Sequence, residues 1–443
     1  MKYINNKPLL IFVFYVVFAL PITPCLAQFS LTAYLGDTNR SRAGGAAVAE
    51  DATTVFTNPA GMSLLSGDNW VFASETFFSS AKFKNQGSKD VVGAPLSGGN
   101  GGDGGGATFV PALYYSRSVD PDSKWSFGLA VNSPFGLSTE YDKNWVGRYN
   151  SITSSIASIN LNPSVSYQFN NQWSAGFGID LQYVDAKLSS AVDFGAICYG
   201  ILGPGSCIGL GLQPQNADGL VEIKGDDWSS GYNVGVLWSD TDVRVGFSYR
   251  SAIKHRLKGK ADFTNPPQAA AFAPLFTDTD VKSPITMPEI ISLSVAYSLN
   301  AKYNLMADLT QTRWSRIKHF KFEYTNPSQP EQILDKNWKD TTRIAVGMDY
   351  MVDPTLIWQF GVAYEPSAIP DDTFDPSIPI SNAIWINAGA NYQFRKSMAV
   401  NCGLVHIIFH SRDVDLTGTY GENLKGKAES GLNVLNAQLI WHY

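Results

Sequence analysis

The residues best able to do chemistry are few, and their spacing works against it. His406 and His410 stand four apart, a spacing that would aim both imidazoles at one metal ion on a helix. They lie instead in an alternating segment, on one strand face, without the glutamate of a zinc-protease motif. His255, His319 and His442 are scattered, and none can be matched to a serine nucleophile and an orienting acid. The glycine-rich run 98–106 resembles a phosphate-binding loop in composition alone. It lacks a Gly-Lys-Ser/Thr ending, no helix follows, and it reads as a flexible surface loop. No catalytic set, metal site or cofactor site can be named, so the chain is read as not an enzyme.

Binding is better supported. Two segments that read as connections are unusually apolar. One carries Ile197, Tyr199, Ile201, Leu202, Ile208, Leu210 and Leu212; the other runs from Ala269 through Phe272 to Leu275 and Phe276. Exposed apolar patches usually mark binding surfaces, so ligand capture is expected at Ile201, Leu202, Leu210, Phe272, Leu275 and Phe276. The same loops could instead pack on each other as a lid, and both readings stay open. Cys198 and Cys207 flank a short turn-rich stretch of the first loop. In an exported protein this predicts a local disulfide, leaving Cys402 as an inert strand residue. Lys187, Arg244, Arg250 and Arg343 could meet a carboxylate if they face inward. Each could equally be paired with Asp180 or Asp349 for solvation alone.

The elements that must position these residues follow from the leader, the composition and the periodicity. Lys2 and Lys7 precede an uncharged apolar run, 9–20, which Pro21 and Pro24 break before Cys25-Leu26-Ala27. That is the layout of a secretory signal peptide, 1–27, cleaved before Gln28. Beyond it no stretch is apolar enough to span a bilayer as a helix. Charged residues make up 16% of the chain and aromatics 13%, with mean hydropathy −0.09. Those values suit strands with one face to lipid and the other to a lumen. The net charge of −6 comes without any basic block, which argues against a nucleic-acid partner.

Period-two alternation recurs throughout. In 243–250 every odd residue is apolar, and 159–169, 291–299, 358–364 and 384–394 behave alike. Aromatic residues at strand ends, such as Trp238, Tyr249 and Tyr364, favour a barrel over a soluble sandwich. Short turns at 119–124, 170–172, 239–242, 299–302, 352–355 and 394–397 alternate with long connections at 85–106, 141–155, 189–227, 259–285, 326–340, 365–382 and 411–431. Seven long and six short connections predict fourteen antiparallel strands crossing the outer membrane as a β-barrel over 69–443. The chain ends on a strand with Leu435, Ala437, Leu439, Trp441 and Tyr443 on one face, a terminus like the signal read by barrel-assembly machinery. Segment 28–68 is small and helical in pattern and ends in Asn58-Pro59-Ala60-Gly61. From the residues alone it could be a plug inside the lumen or a periplasmic tail.

Several stretches, in order and at compatible spacing, resemble the FadL/TodX family of outer-membrane transporters of hydrophobic compounds. They include Gly44-Gly45-Ala46-Ala47, Asn58-Pro59-Ala60, Val110-Pro111-Ala112, Ser133-Pro134-Phe135-Gly136-Leu137, Gly147-Arg148-Tyr149, Met287-Pro288-Glu289 and Tyr364-Glu365-Pro366. The resemblance implies a fourteen-stranded barrel whose N-terminal hatch fills the lumen, with Asn58, Pro59 and Ala60 gating it. It implies passive uptake of long-chain fatty acids or similar compounds, captured by extracellular loops and released sideways into outer-membrane lipid. The exit maps to an inward kink at Ser133, Pro134, Phe135 and Gly136, where proline cannot donate to a ladder; a strand end entering a loop is the plainer alternative. At two places where fatty-acid members carry a basic wall residue this chain has Ser190 and Leu334. That departure leaves room for neutral aromatic or aliphatic hydrocarbons. A monomer is expected, and a surface adhesin or phage receptor is the rival from another class. An outer-membrane lipase is disfavoured for want of a nucleophile and base.

Overall fold

The computed structural model describes residues 43–119 and 123–443; the expected signal peptide and the first part of the hatch lie outside them. Along β6 (Trp173–Asp193), Trp173, Phe177, Ile179 and Leu181 are 38–46% exposed, while Asp180 and Gln182 between them are buried. β16 (Leu356–Glu365) repeats this, with Trp358, Phe360, Val362 and Tyr364 outside and Gln359 buried. Apolar side chains outside and amides and carboxylates inside invert a soluble sandwich. Only a barrel whose outer face meets hydrocarbon makes that arrangement stable.

The other ladder segments are β1 (Asp68–Asn85), β2 (Ala107–Ser118), β3 (Trp125–Asn132), β4 (Gly136–Glu140), β5 (Thr153–Gln168), β7 (Asp218–Ser239), β8 (Val243–Arg250), β9 (Ile253–Thr264), β10 (Thr279–Met287) and β11 (Ile290–Asn300). They continue with β12 (Tyr303–Thr312), β13 (His319–Tyr324), β14 (Gln332–Asp335), β15 (Thr341–Asp353), β17 (Ala383–Arg395), β18 (Met398–Phe409), β19 (Arg412–Thr417) and β20 (Asn423–His442). Pairings between neighbouring strands are all antiparallel, and β1 closes the sheet on β20 from Asn69↔His442 to Asn85↔Gly426. Six strands are built of two segments each (β3/β4, β8/β9, β10/β11, β12/β13, β14/β15, β18/β19), so the twenty segments make fourteen strands.

Several segments expected as connections are strand. β6 and β7 stay paired up to Asp193↔Asp218, and β9 pairs β10 up to Ala261↔Thr279. The same holds for β19 with β20, and β14 occupies part of 326–340. These hairpin arms stand above the bilayer, where outward positions become Glu222, Lys224 and Asp226 instead of apolar residues. The ladder continues while the hydrophobic alternation stops. Outward Trp238, beside Trp173, and outward Trp228, 5.3 Å from the Tyr183 ring, lie ten residues apart. At about 3.4 Å per residue and a tilt near 40° this spans about 26 Å, the height of an apolar band between two aromatic girdles.

The described part of the hatch, 43–67, lies inside the barrel. A short helix, α1 (Thr54–Thr57), and a 3-10 turn (Pro59–Leu64) are almost wholly buried. Val55, Phe56 and Met62 pack with wall residues such as Val71 and Tyr114. The wall makes room with glycine. A Cβ on Gly235 would come within 1.9 Å of the Asn58 side-chain oxygen, and one on Gly246 within 1.8 Å of the Ala46 carbonyl.

Candidate functional site

Above the hatch the lumen holds a partly open cavity. Its wall is apolar, with Leu137, Ile156, Leu257, Ile285, Phe320 and Ile378 among the lining residues; Ser154, Ser155 and Ser283 supply hydroxyls. Lys224 also borders it, but β7 aims that side chain outward on the Trp228 side, where the ammonium pairs with Glu222. The Lys336 ammonium lies 5.4 Å from the centroid of the lining Phe320 ring, but it is paired with Asp375.

The wall beside the cavity is interrupted. β3 pairs β2 only as far as Val131↔Leu113, and β4 resumes on β5 alone, from Gly136↔Ala157. Residues 107–112 of β2 pair with β1, and the β2–β3 ladder does not reach them. The bend between the segments is Ser133-Pro134-Phe135. Both edges of the gap carry a proline, Pro111 and Pro134, which has no N–H to donate across it. The inward bend is fixed by Phe135, whose N–H donates to the Ser158 hydroxyl at 2.9 Å; that hydroxyl donates back to the Phe135 carbonyl at 2.7 Å. The Phe135 ring is buried, edge-on to Trp314 at 6.2 Å, and Leu137, just beyond, lines the cavity.

Below the cavity, Asn58 ties the hatch to the wall. Its amide donates to the Ala46 carbonyl at 2.7 Å and to the Val236 carbonyl of β7 at 3.2 Å, while its oxygen accepts from the Ala60 N–H at 3.1 Å. Pro59 opens the 3-10 turn, and the Ala60 carbonyl accepts from the Ser174 hydroxyl at 3.0 Å. Three strands further round the wall, on β12, the Asp308 carboxylate accepts from the N–H groups of Gly44 and Gly45. Arg250 pairs with Asp180, donates to the Phe56 carbonyl at 2.7 Å, and lies over the Phe56 ring. Its charge is thus used in holding the hatch. Lys187 faces outward, paired with Glu222 at 2.8 Å, and so does not meet the lumen.

The extracellular end carries folded loops. Cys198 and Cys207 are joined, linking α2 (Phe194–Leu202) to α3 (Pro204–Gly209). Phe272 is buried against Phe194, Ile197 and Leu212, with Phe276 partly buried beside it; these two and half-buried Leu275 belong to loop-on-loop packing more than to a free surface. Ile201, Leu202, Ile208 and Leu210 remain 49–56% exposed. The two loops therefore pack on each other and keep an apolar outer face. Asp193 caps α2, accepting from the Ala196 N–H at 2.9 Å. Burial pushes its carboxyl up to about 6, against the lowering effect of the backbone N–H groups it accepts from. A third loop, 366–382, dips into the barrel and buries Phe374 and Ile378. It is held there by Lys336, 2.5 Å from the Asp375 carboxylate, and by Tyr141 and Thr139, whose hydroxyls donate to the carbonyls of Pro376 and Ser377. Burial alone would raise the Asp375 carboxyl; the Lys336 ammonium and the hydrogen bonds from Ser377 together outweigh this and hold it below the usual range.

A second break separates β10 from the strand carrying β12 and β13. Those strands pair only at Val281↔Tyr324 and Lys282↔Glu323 before the chain crosses a 3-10 turn at Trp314–Arg316. Pro284, Ile285 and Thr286 thus face an open notch bordered by 315–319. The first break falls at 133–136, where the family resemblance placed a kink and a strand end entering a loop was the alternative. Nothing in the alternation signalled the second, nor the inward course of 366–382.

The model of the family described as "Outer membrane protein transport protein (OMPP1/FadL/TodX)" matches residues 26–443. A long-chain fatty acid transport protein of Escherichia coli (strain K12) is 27% identical over 410 residues, covering 88% of this chain and 89% of the relative. A putative outer membrane protein of Neisseria meningitidis serogroup B is 28% identical, covering 88% of each. Among solved structures, a Pseudomonas aeruginosa FadL homologue superposes with a TM-score of 0.85 at 21% identity, covering 92% of this chain and 98% of the other. The Pseudomonas putida toluene transporter TodX superposes at 0.69 and 17% identity, covering 94% and 99%. A closed barrel with lipid-facing aromatics, a lumenal plug and a match over nearly the whole length agree: the chain belongs to the FadL/TodX family of outer-membrane transporters of hydrophobic compounds in Gram-negative bacteria.

Proposed function

We propose that the chain moves long-chain fatty acids or similarly hydrophobic compounds passively across the outer membrane. Cargo is captured on exposed Ile201, Leu202 and Leu210, passes the lid formed with Phe272, Leu275 and Phe276, and rests in the cavity behind Leu137. It leaves sideways through the break at Ser133–Gly136, while the hatch around Asn58, Pro59 and Ala60 blocks the direct route to the periplasm. The observation that carries this reading is the break in the wall, where β3 leaves β2 at Val131↔Leu113 and β4 returns on β5 alone, beside an apolar cavity. A chain of about fifteen methylenes would lose roughly 12 kcal/mol on entering water, at about 0.8 kcal/mol per methylene. Release into lipid avoids that loss.

A second reading, neutral aromatic or aliphatic hydrocarbons, is favoured by the mainly apolar lining of the cavity, since Lys336, 5.4 Å from the lining Phe320 ring, is already paired with Asp375. A strain lacking its own fatty-acid transporter tests both: growth on a long-chain fatty acid restored by this chain supports the first. Restoration only of hydrocarbon uptake moves the assignment to the second, and rescue of neither removes uptake as the function.

A further inference from the structure

The notch between β10 and the 3-10 turn has no part in the route described so far. On β10 the ladder to the next strand is missing from Ser283 to Met287. At the foot of this opening Arg316 grips Glu289 through two hydrogen bonds of 2.9 and 2.6 Å. The floor is apolar, made by Ile285 and by buried Ile317. Ile285 also lines the internal cavity, so one side chain stands between the outer notch and the lumenal pocket.

The rim has the opposite character. Lys318 is exposed at the edge of the notch. On the neighbouring strand Lys254 lies opposite Thr286 and Arg256 opposite Pro284, both exposed. Among the described residues none of these three cations makes an ion pair within 4 Å. Their level follows from the register. Lys258 pairs with Asp226, so Arg256 comes level with Trp228, the outer-girdle tryptophan two residues further along β7. Cations at that height over an apolar floor match an anionic head group at the outer-leaflet surface with its chain directed inward.

We propose that this notch is a second portal, through which a single-chain anionic amphiphile dissolved in the outer leaflet enters the cavity tail first, past Ile285, while Lys254, Arg256 and Lys318 hold its head. The portal rests on the transport reading of the cavity. It makes the membrane, as well as the capture loops, a source of cargo.

The test uses the full chain in lipid vesicles and a fluorescent long-chain fatty acid, supplied either already dissolved in the vesicle membrane or from water on a carrier protein. Thr286→Trp fills the notch from outside without touching the cavity; Leu210→Asp damages the capture face alone. Loading from the membrane is expected to slow at least fivefold in Thr286→Trp and to stay unchanged in Leu210→Asp, with the reverse for loading from water. A combined Lys254→Ser, Arg256→Ser and Lys318→Ser chain should slow membrane loading of the fatty acid but not of its methyl ester. Unchanged membrane loading in Thr286→Trp, while water loading proceeds normally, overturns the portal alone. Failure of the unsubstituted chain to load by either route overturns the portal together with the transport reading. Heat-shifted gel mobility of each variant shows whether the barrel is folded.

Discussion

Replacing Asn58 with alanine removes the three hydrogen bonds that join the hatch turn to itself and to β7: 2.7 Å to Ala46, 3.2 Å to Val236 and 3.1 Å from Ala60. All lie in a region closed to solvent, Asn58 being 1% exposed, so the abandoned carbonyls and N–H are left without water. At about 1 kcal/mol net for each bond the hatch loses about 3 kcal/mol. A factor of ten per 1.4 kcal/mol makes its released state roughly a hundredfold more populated. The barrel ladder is untouched, so heat-shifted gel mobility should be unchanged. Hydrogen exchange read by mass spectrometry should show the amides of 46–65 exchanging much faster, with those of β6 and β7 unaffected. The reasoning predicts a parallel rise in entry of small polar dyes, because the direct path is then intermittently open. Unchanged exchange across 46–65 would refute the view that Asn58 is the tie. Faster exchange with no added leak would leave Asn58 as the tie but show that the hatch is not the barrier.

Three further outcomes follow from the same geometry. Ser133→Arg places a charge in the wall break and should cut fatty-acid uptake at least tenfold while leaving ligand binding to the outer loops intact; normal uptake would remove the sideways exit. The Asp193 carboxyl, raised to about 6 from 3.8 by burial, stabilises its loop most below pH 4, and that contribution disappears as pH rises through 6. Proteolysis of 194–217 should therefore speed up from pH 4 to 7 relative to Asp193→Asn, whose loop should show no such trend; identical trends would contradict the linkage. Removing the Cys198–Cys207 link frees a loop of nine residues' separation, worth about 2–3 kcal/mol in the chain-entropy view. A Cys198→Ser, Cys207→Ser chain should need several times more ligand for half-maximal uptake, and an unaltered requirement would show that the lid is held by packing alone.

Much of the fold was legible because lipid enforces a strict rule. Residues such as Phe177, Ile179 and Leu181 must be apolar wherever hydrocarbon touches them, and alternation with Asp180 and Gln182 follows. Where that constraint ends, at Glu222 or Lys258, strands persist on hydrogen bonds that leave no hydrophobic trace, and hairpin arms were read as loops. The bend at Ser133–Gly136 was placed by the family resemblance, with the missing proline N–H as its local reason; from the residues alone a strand end entering a loop fitted as well. Arg250 gave no such sign: a strand arginine looks the same whether it meets a ligand or grips Phe56 and Asp180. The cavity was invisible for a related reason. Leu137, Ile156, Leu257, Phe320 and Ile378 come from five different strands or loops, and only closure of the barrel brings them to one surface. The break at Pro284–Thr286 depends on what β12 and β13 fail to supply, which no pattern within β10 can reveal.

The path of the cargo is tested most directly by a fatty acid bearing a photoreactive group near its tail, bound to the full chain in lipid, with the adducts mapped by mass spectrometry. The account predicts adducts on Ile156 and Leu257 in the cavity and on Pro111 and Phe135 at the wall break, with none below the hatch. Adducts continuing past Asn58 and Met62 toward the periplasmic turns, with Pro111 and Phe135 unmarked, would contradict it.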